Sequence, residues 1–145
     1  MSQSVTYYPD HALVYLDYSG DIELMSLSAR VAEWMITLAV PLGYTVVMDL
    51  RAFKSVDRPV NGLEEFLALQ EKLHQHYAPA DRMLILAPSP ESYVFARILE
   101  QMSEGKVPTV FSVLRDEADV LGALGVQAGS LDSHLAGLGH GVTLR

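Results

Sequence analysis

The chain has 145 residues, half of them hydrophobic and 19% charged, which excludes a disordered polymer and suits one domain with its own core. It contains no cysteine, so disulfides, thiolate metal sites, iron–sulfur clusters and a cysteine nucleophile are excluded. Ten Lys plus Arg stand against 18 Asp plus Glu, and the net charge of −8 argues against nucleic acid or an anionic bilayer as the main partner.

The first residues carry neither the basic region nor the apolar stretch of a secretory signal. The longest apolar run, Trp34 to Leu42, is broken by Thr37 and Pro41 and falls short of the ~20 residues that cross a bilayer. A cytoplasmic protein without a membrane partner is therefore expected. Val5 to Tyr8 and Leu13 to Tyr18 alternate as strands, and Pro9-Asp10-His11 between them predicts an opening hairpin that Ser19-Gly20-Asp21 ends. Val31, Trp34, Met35 and Leu38 recur at helical spacing, with Ser26 or Ser28 as the expected N-cap and Pro41 and Gly43 as the stop.

Thr45 to Leu50 is a nearly continuous apolar run of the kind found in a strand covered on both faces. A loop, residues 51–61, is expected to lead into a long helix through Tyr77, in which Leu63, Phe66, Leu67, Leu69, Leu73 and Tyr77 form the buried stripe. Gln70 falls within that stripe and needs a hydrogen-bond partner if buried. Met83 to Ala87 reads as a second buried strand. Pro88-Ser89-Pro90-Glu91 then starts a helix with Ser89 as cap and Pro90 in the first helical position. Val107 to Leu114 holds a third buried strand, and Arg115-Asp116-Glu117 opens a last helix that Gly125 closes. From Gln127 the chain becomes rich in Gly and Ser, and residues 127–145 read as a mobile or loosely docked tail. The order β(β)-α-β-α-β-α-β-α predicts one α/β domain over residues 1–126. Its mixed sheet has four to five strands, an opening hairpin followed by parallel strands, and about four helices.

Four stretches then carry a family likeness: Leu13-Val14-Tyr15-Leu16-Asp17-Tyr18-Ser19-Gly20, Val46-Val47-Met48-Asp49-Leu50-Arg51, Met83 to Ser89 with Phe95-Ala96-Arg97, and Phe111 to Asp116. In them the chain resembles the STAS-like, SpoIIAA-like superfamily, bacterial domains related to anti-sigma-factor antagonists. The resemblance spans roughly residues 10–125 and implies a non-catalytic regulatory domain that acts through a protein partner or a second copy of itself. That family switches by phosphorylating a serine in an Asp-Ser-x-Gly pattern after the central strand. Here Asp57 matches, but Arg58 and Pro59 stand where the serine is expected, so the switch is lost unless Ser55 replaces it.

Residues 51–61 and 88–91 should lie at the carboxyl ends of parallel strands, where open α/β sheets bind ligands. Ser89 at a helix N-terminus, with Arg51, Asp57, Arg58 and Arg115 nearby, could form a clamp for an anion. The plain alternative is that Ser89 only caps its helix and the arginines pair with Asp49, Asp57 and Asp116. A small-ligand domain, for an anion or a lipid-like molecule, is thus the second reading. Trp34, Met25, Met35, Tyr93, Phe95 and Met102 would line either the core or such an apolar pocket. His74 and His76 point about 200° apart on a helix and cannot clasp one metal. No nucleophile–base pair, metal set or glycine-rich nucleotide loop can be named, so no enzymatic activity and no cofactor are expected.

Overall fold

A computed structural model describes residues 2–57 and 59–145. Its strands are β1 (Ser2–Tyr8), β2 (Leu13–Ile22), β3 (Thr45–Val56), β4 (Arg82–Leu86), β5 (Val110–Leu114) and β6 (Val142–Leu144). Its helices are α1 (Leu24–Leu38), α2 (Pro59–Leu73), α3 (Pro90–Ser103), α4 (Glu117–Leu124) and α5 (Leu131–Ala136). The fold is a single α/β domain built on one mixed sheet in the order β5-β4-β3-β2-β1-β6.

β1 and β2 pair antiparallel, while β2, β3, β4 and β5 run parallel, each added beside its predecessor. Because parallel crossovers are right-handed, three steps in one direction put α1, α2 and α3 on the same face. That face holds the larger core, where Val14, Leu16, Tyr18, Val46, Met48 and Ile85 meet Leu27, Trp34, Leu67 and Leu99. The alternate strand residues, Leu13, Val47, Leu84 and Leu86, face the other way onto Val120, Leu131, Leu135 and Leu138.

Residues 127–145, expected to be mobile or loosely docked, form ordered structure instead. α5 buries Leu131 completely, and β6 pairs with β1 through Val5–Leu144, Thr6–Thr143 and Tyr7–Val142. Of the glycines that suggested mobility, Gly129, Gly137 and Gly139 lie in the connections around α5, and Gly141 lets the chain pass close to Tyr8 and Thr6. Leu131, Leu135 and Leu138 supply a short apolar stripe that needs only the exposed underside of the sheet to dock. The sheet therefore has six strands and the domain five α-helices among the described residues, against the four to five and about four expected.

Other boundaries also differ. Ser19-Gly20-Asp21 does not end β2, which runs on to Ile22, and residues 51–56 are not loop but the second half of β3. The two strands continue together through register shifts after Asp17 and Gly20, each with one extra residue on β3. The bulges explain why neither strand keeps a clean alternation there. β5 is an edge strand of intermediate burial rather than a strand covered on both faces, and Val110 is 65% exposed. α1 starts at Leu24, ahead of the serines expected to cap it. Its cap comes from elsewhere: the Leu24 amide donates to Asp57 Oδ1 at 2.8 Å, across from the end of β3.

Candidate functional site

The carboxyl ends of β2, β3 and β4 lie where α1, α2 and α3 begin, so this end of the sheet gathers the residues that sequence marks as functional. The structure engages them separately. Arg51 projects from β3 on the α4/α5 side and forms the centre of a polar knot. Its Nη2 donates to Asp49 Oδ2 at 2.7 Å and to Asp132 Oδ1 at 2.9 Å, its Nε reaches both Asp49 oxygens at 3.0 Å, and its Nη1 lies 3.4 Å from Glu117 Oε1. Asp49, only 3% exposed, also accepts the Tyr15 hydroxyl and the Arg51 backbone N–H. Glu117 in turn accepts the Leu131 amide at 2.9 Å, the first N–H of α5.

The electrostatics follow from four carboxylates around one guanidinium. Hydrogen bonding to Asp49 raises the Arg51 pKa above its ordinary range, which keeps it charged throughout. Burial, then the Asp49 carboxylate, drives the Tyr15 phenol far above its ordinary value. Asp17 is raised by burial and by Asp49, with Arg51 opposing. The knot ties β2, β3, α4 and α5 together, a structural task that absorbs the charge of Arg51.

Asp57 caps α1, as described above. Ser89 caps α3: its Oγ accepts the Ser92 amide at 3.1 Å, and the Ser92 hydroxyl accepts from the Ser89 amide, a reciprocal capping pair. Arg115 lies over the Tyr93 ring, 4.5 Å from its centre, and donates to the Pro88 carbonyl at 3.3 Å. Arg58 lies outside the described residues. No hydrogen bond or ion pair joins any two of Arg51, Asp57, Ser89 and Arg115 among the described residues. The expected pairing of arginines with acids holds for Arg51 with Asp49. It does not hold for Arg115, whose partners are an aromatic ring and a carbonyl, nor for Asp116, which caps α4 by accepting the Asp119 amide.

Two surface grooves flank the β3–α2 connection at this same end. One lies between the free extension of β3 and α3, lined by Phe53, Val56, Pro90, Val94 and Ile98, with a volume of about 390 Å³. It exists because β4 stops at Leu86, opposite Asp49, while β3 continues for seven residues more, to Val56. Phe53 stacks on Phe95 at 5.3 Å to form its floor. The other, about 260 Å³, lies between α1 and α2 and is lined by Met25, Ala29, Phe66 and Leu69. Gly62 lets the two helices approach there, since a Cβ at that position would stand 2.6 Å from Leu24 Cδ1. Met25 and Val94, which line these grooves, are 63% and 57% exposed, and Val60 at the start of α2 is 53% exposed. Sequence reading placed Met25 with the core residues, and missed Val60 and the bulged extension of β3 altogether. Of the other residues in that set, Trp34, Met35 and Phe95 do line an internal cavity.

Comparison with protein-family models, with curated proteins and with solved structures gives no match to this chain. No helix among the described residues is long and apolar enough to cross a membrane.

Proposed function

We propose that this chain is a non-catalytic regulatory domain of STAS-like type that docks a protein partner at the end of the sheet where α1, α2 and α3 begin. The observation that carries this reading is that the large apolar side chains Met25 and Val94 are left exposed in two largely apolar grooves at that end, with Val60 exposed at the start of α2. Exposed apolar groups gathered around a groove mark interaction surfaces, whereas scattered ones do not. The likeness of residues 10–125 to anti-sigma-factor-antagonist-related domains agrees with a protein partner, and the cytoplasm is the setting proposed. Control would not run through the family's usual serine, since Asp57 is followed by Arg58 and Pro59 and itself caps α1.

The test is affinity capture with the intact protein against Met25→Glu and Val94→Glu, each checked for an unchanged melting temperature. A charge at an interface centre is unpaired and desolvated, so each variant should lose the captured partner that the parent retains. Capture that is identical for parent and variants, or self-association in sedimentation as the sole interaction at this surface, would remove the reading of a foreign partner.

A further inference from the structure

We infer that the cavity between the sheet and helices α1, α2 and α3 is a binding site for a small, neutral, apolar molecule that carries one hydrogen-bond acceptor. The inference is independent of the docking surface proposed above and uses a different part of the molecule. The cavity has a volume of about 60 Å³ and an almost wholly apolar lining that includes Met35, Met48, Met83 and Phe95. Tyr18, Trp34, Tyr44, Gln70, His74 and Thr109 bring polar atoms to that lining, and those of Tyr44 and Thr109 are bonded to the Ala78 and Ala80 carbonyls. Trp34 Nε1 and Gln70 Nε2 are buried without a hydrogen-bond partner among the described residues, in side chains only 5% and 9% exposed. Buried donors are nearly always paired, because leaving one unmade forfeits its hydration with nothing in return. A tryptophan N–H only donates, and the Gln70 amide group presents donors too, so the missing partner is an acceptor.

The charge of the ligand follows from what is absent around it. Among the described residues no Lys, Arg, Asp or Glu lines the cavity, and the one imidazole there, His74, has its pKa lowered by burial, which favours its neutral form. A carboxylate would enter as an unpaired buried charge, which is disfavoured; a carbonyl or ether oxygen would not. With a volume of about 60 Å³ the cavity takes an acceptor head of a few atoms. Three methionines in the wall can repack around a longer tail. Of the partly exposed lining residues, His74 follows α2, Val107 and Thr109 precede β5 and Phe111 lies on it, so the ligand would enter on that side.

The experiment uses the whole chain labelled at its methionine methyl groups and titrated with methyl ketones from 2-butanone to 2-octanone, each beside a 2-methylalkane of equal size. The ketones should move the Met35, Met48 and Met83 resonances, leave exposed Met25 unmoved, and bind about five- to tenfold more tightly than the alkanes. Gln70→Leu should bring ketone affinity down toward that of the alkane; should that variant misfold, Trp34→Phe tests the same donor logic. Wall resonances that no ketone moves would mean the donors are merely hydrated and would overturn the site. Ketone and alkane bound equally well would overturn the acceptor requirement and with it the proposed class. Met25→Glu and Val94→Glu should leave ketone binding unchanged, which separates failure of this site from failure of the docking surface.

Discussion

The face of the sheet under α1, α2 and α3 and the face under α4 and α5 bury similar strand residues but are closed by different means. On the first, fifteen-residue α1 and α2 and fourteen-residue α3 cover the sheet with aliphatic and aromatic side chains. On the second, the helices are eight and six residues long, too short to hold by apolar area alone. Specific polar fastenings make up the difference. Arg51 joins Asp49, Glu117 and Asp132, and Arg82 Nη1 donates to the Ala123 carbonyl at 2.7 Å, favourable at the negative end of α4. His11 and the Leu138 carbonyl, and the Thr6 and Thr143 hydroxyls, add two more contacts. The large face is held chiefly by apolar burial and close packing; the small face adds the geometry of its polar contacts.

The sharpest way to break this contrast is Asp49→Ala. It removes the acceptor shared by the Tyr15 hydroxyl, the Arg51 amide and the Arg51 guanidinium, and should cost about 3–4 kcal/mol in urea unfolding, with rapid exchange of the 131–144 amides. A loss near zero would mean that the knot is decorative. Leu131→Ala follows, at about 3 kcal/mol, from the cavity it leaves beneath α5. Hydrogen exchange should then rise on α5 and β6 while α1 to α3 stay protected; uniform exchange over both faces would show that they open together. On the large face, Gly62→Ala should lose about 1–2 kcal/mol despite a better helix residue, because its Cβ meets Leu24. A gain in stability would show that Leu24 gives way freely.

The smallest effect is one of pH. Burial lowers the His74 pKa, so the unfolded imidazole binds a proton more readily than the folded one. The stability it contributes is complete above the ordinary histidine value of about 6.5 and is lost as the pH falls below it. His74→Gln should flatten that decline between pH 7.5 and 5.5; an unchanged slope would assign the decline to another group.

The parallel strands and the α1–α3 face were legible because long apolar runs and helical stripes repeat over many residues. Val46 to Leu50 and Leu63 to Leu73 carry their pattern in themselves. What escaped was held by tertiary partners. Asp57 caps a helix that begins 33 residues earlier, and no local signal joins it to Leu24. Leu131, Leu135 and Leu138 offer too few turns to stand out among glycines until a bare sheet face lies opposite. The continuation of β3 past Leu50 was hidden because two bulges broke its alternation. For the candidate site, the capping role of Ser89 could be read locally. The fate of Arg51 could not, because two of its three partners, Glu117 and Asp132, are supplied by distant segments.

The pairing of β6 with β1 places the closure of the second core on a segment synthesised after the strands it covers. Strands β1 to β5 can be synthesised and assembled first, yet Leu13, Val47, Leu84 and Leu86 stay partly uncovered until residues 131–144 emerge. A nascent chain paused before that point presents a sticky underside to its neighbours.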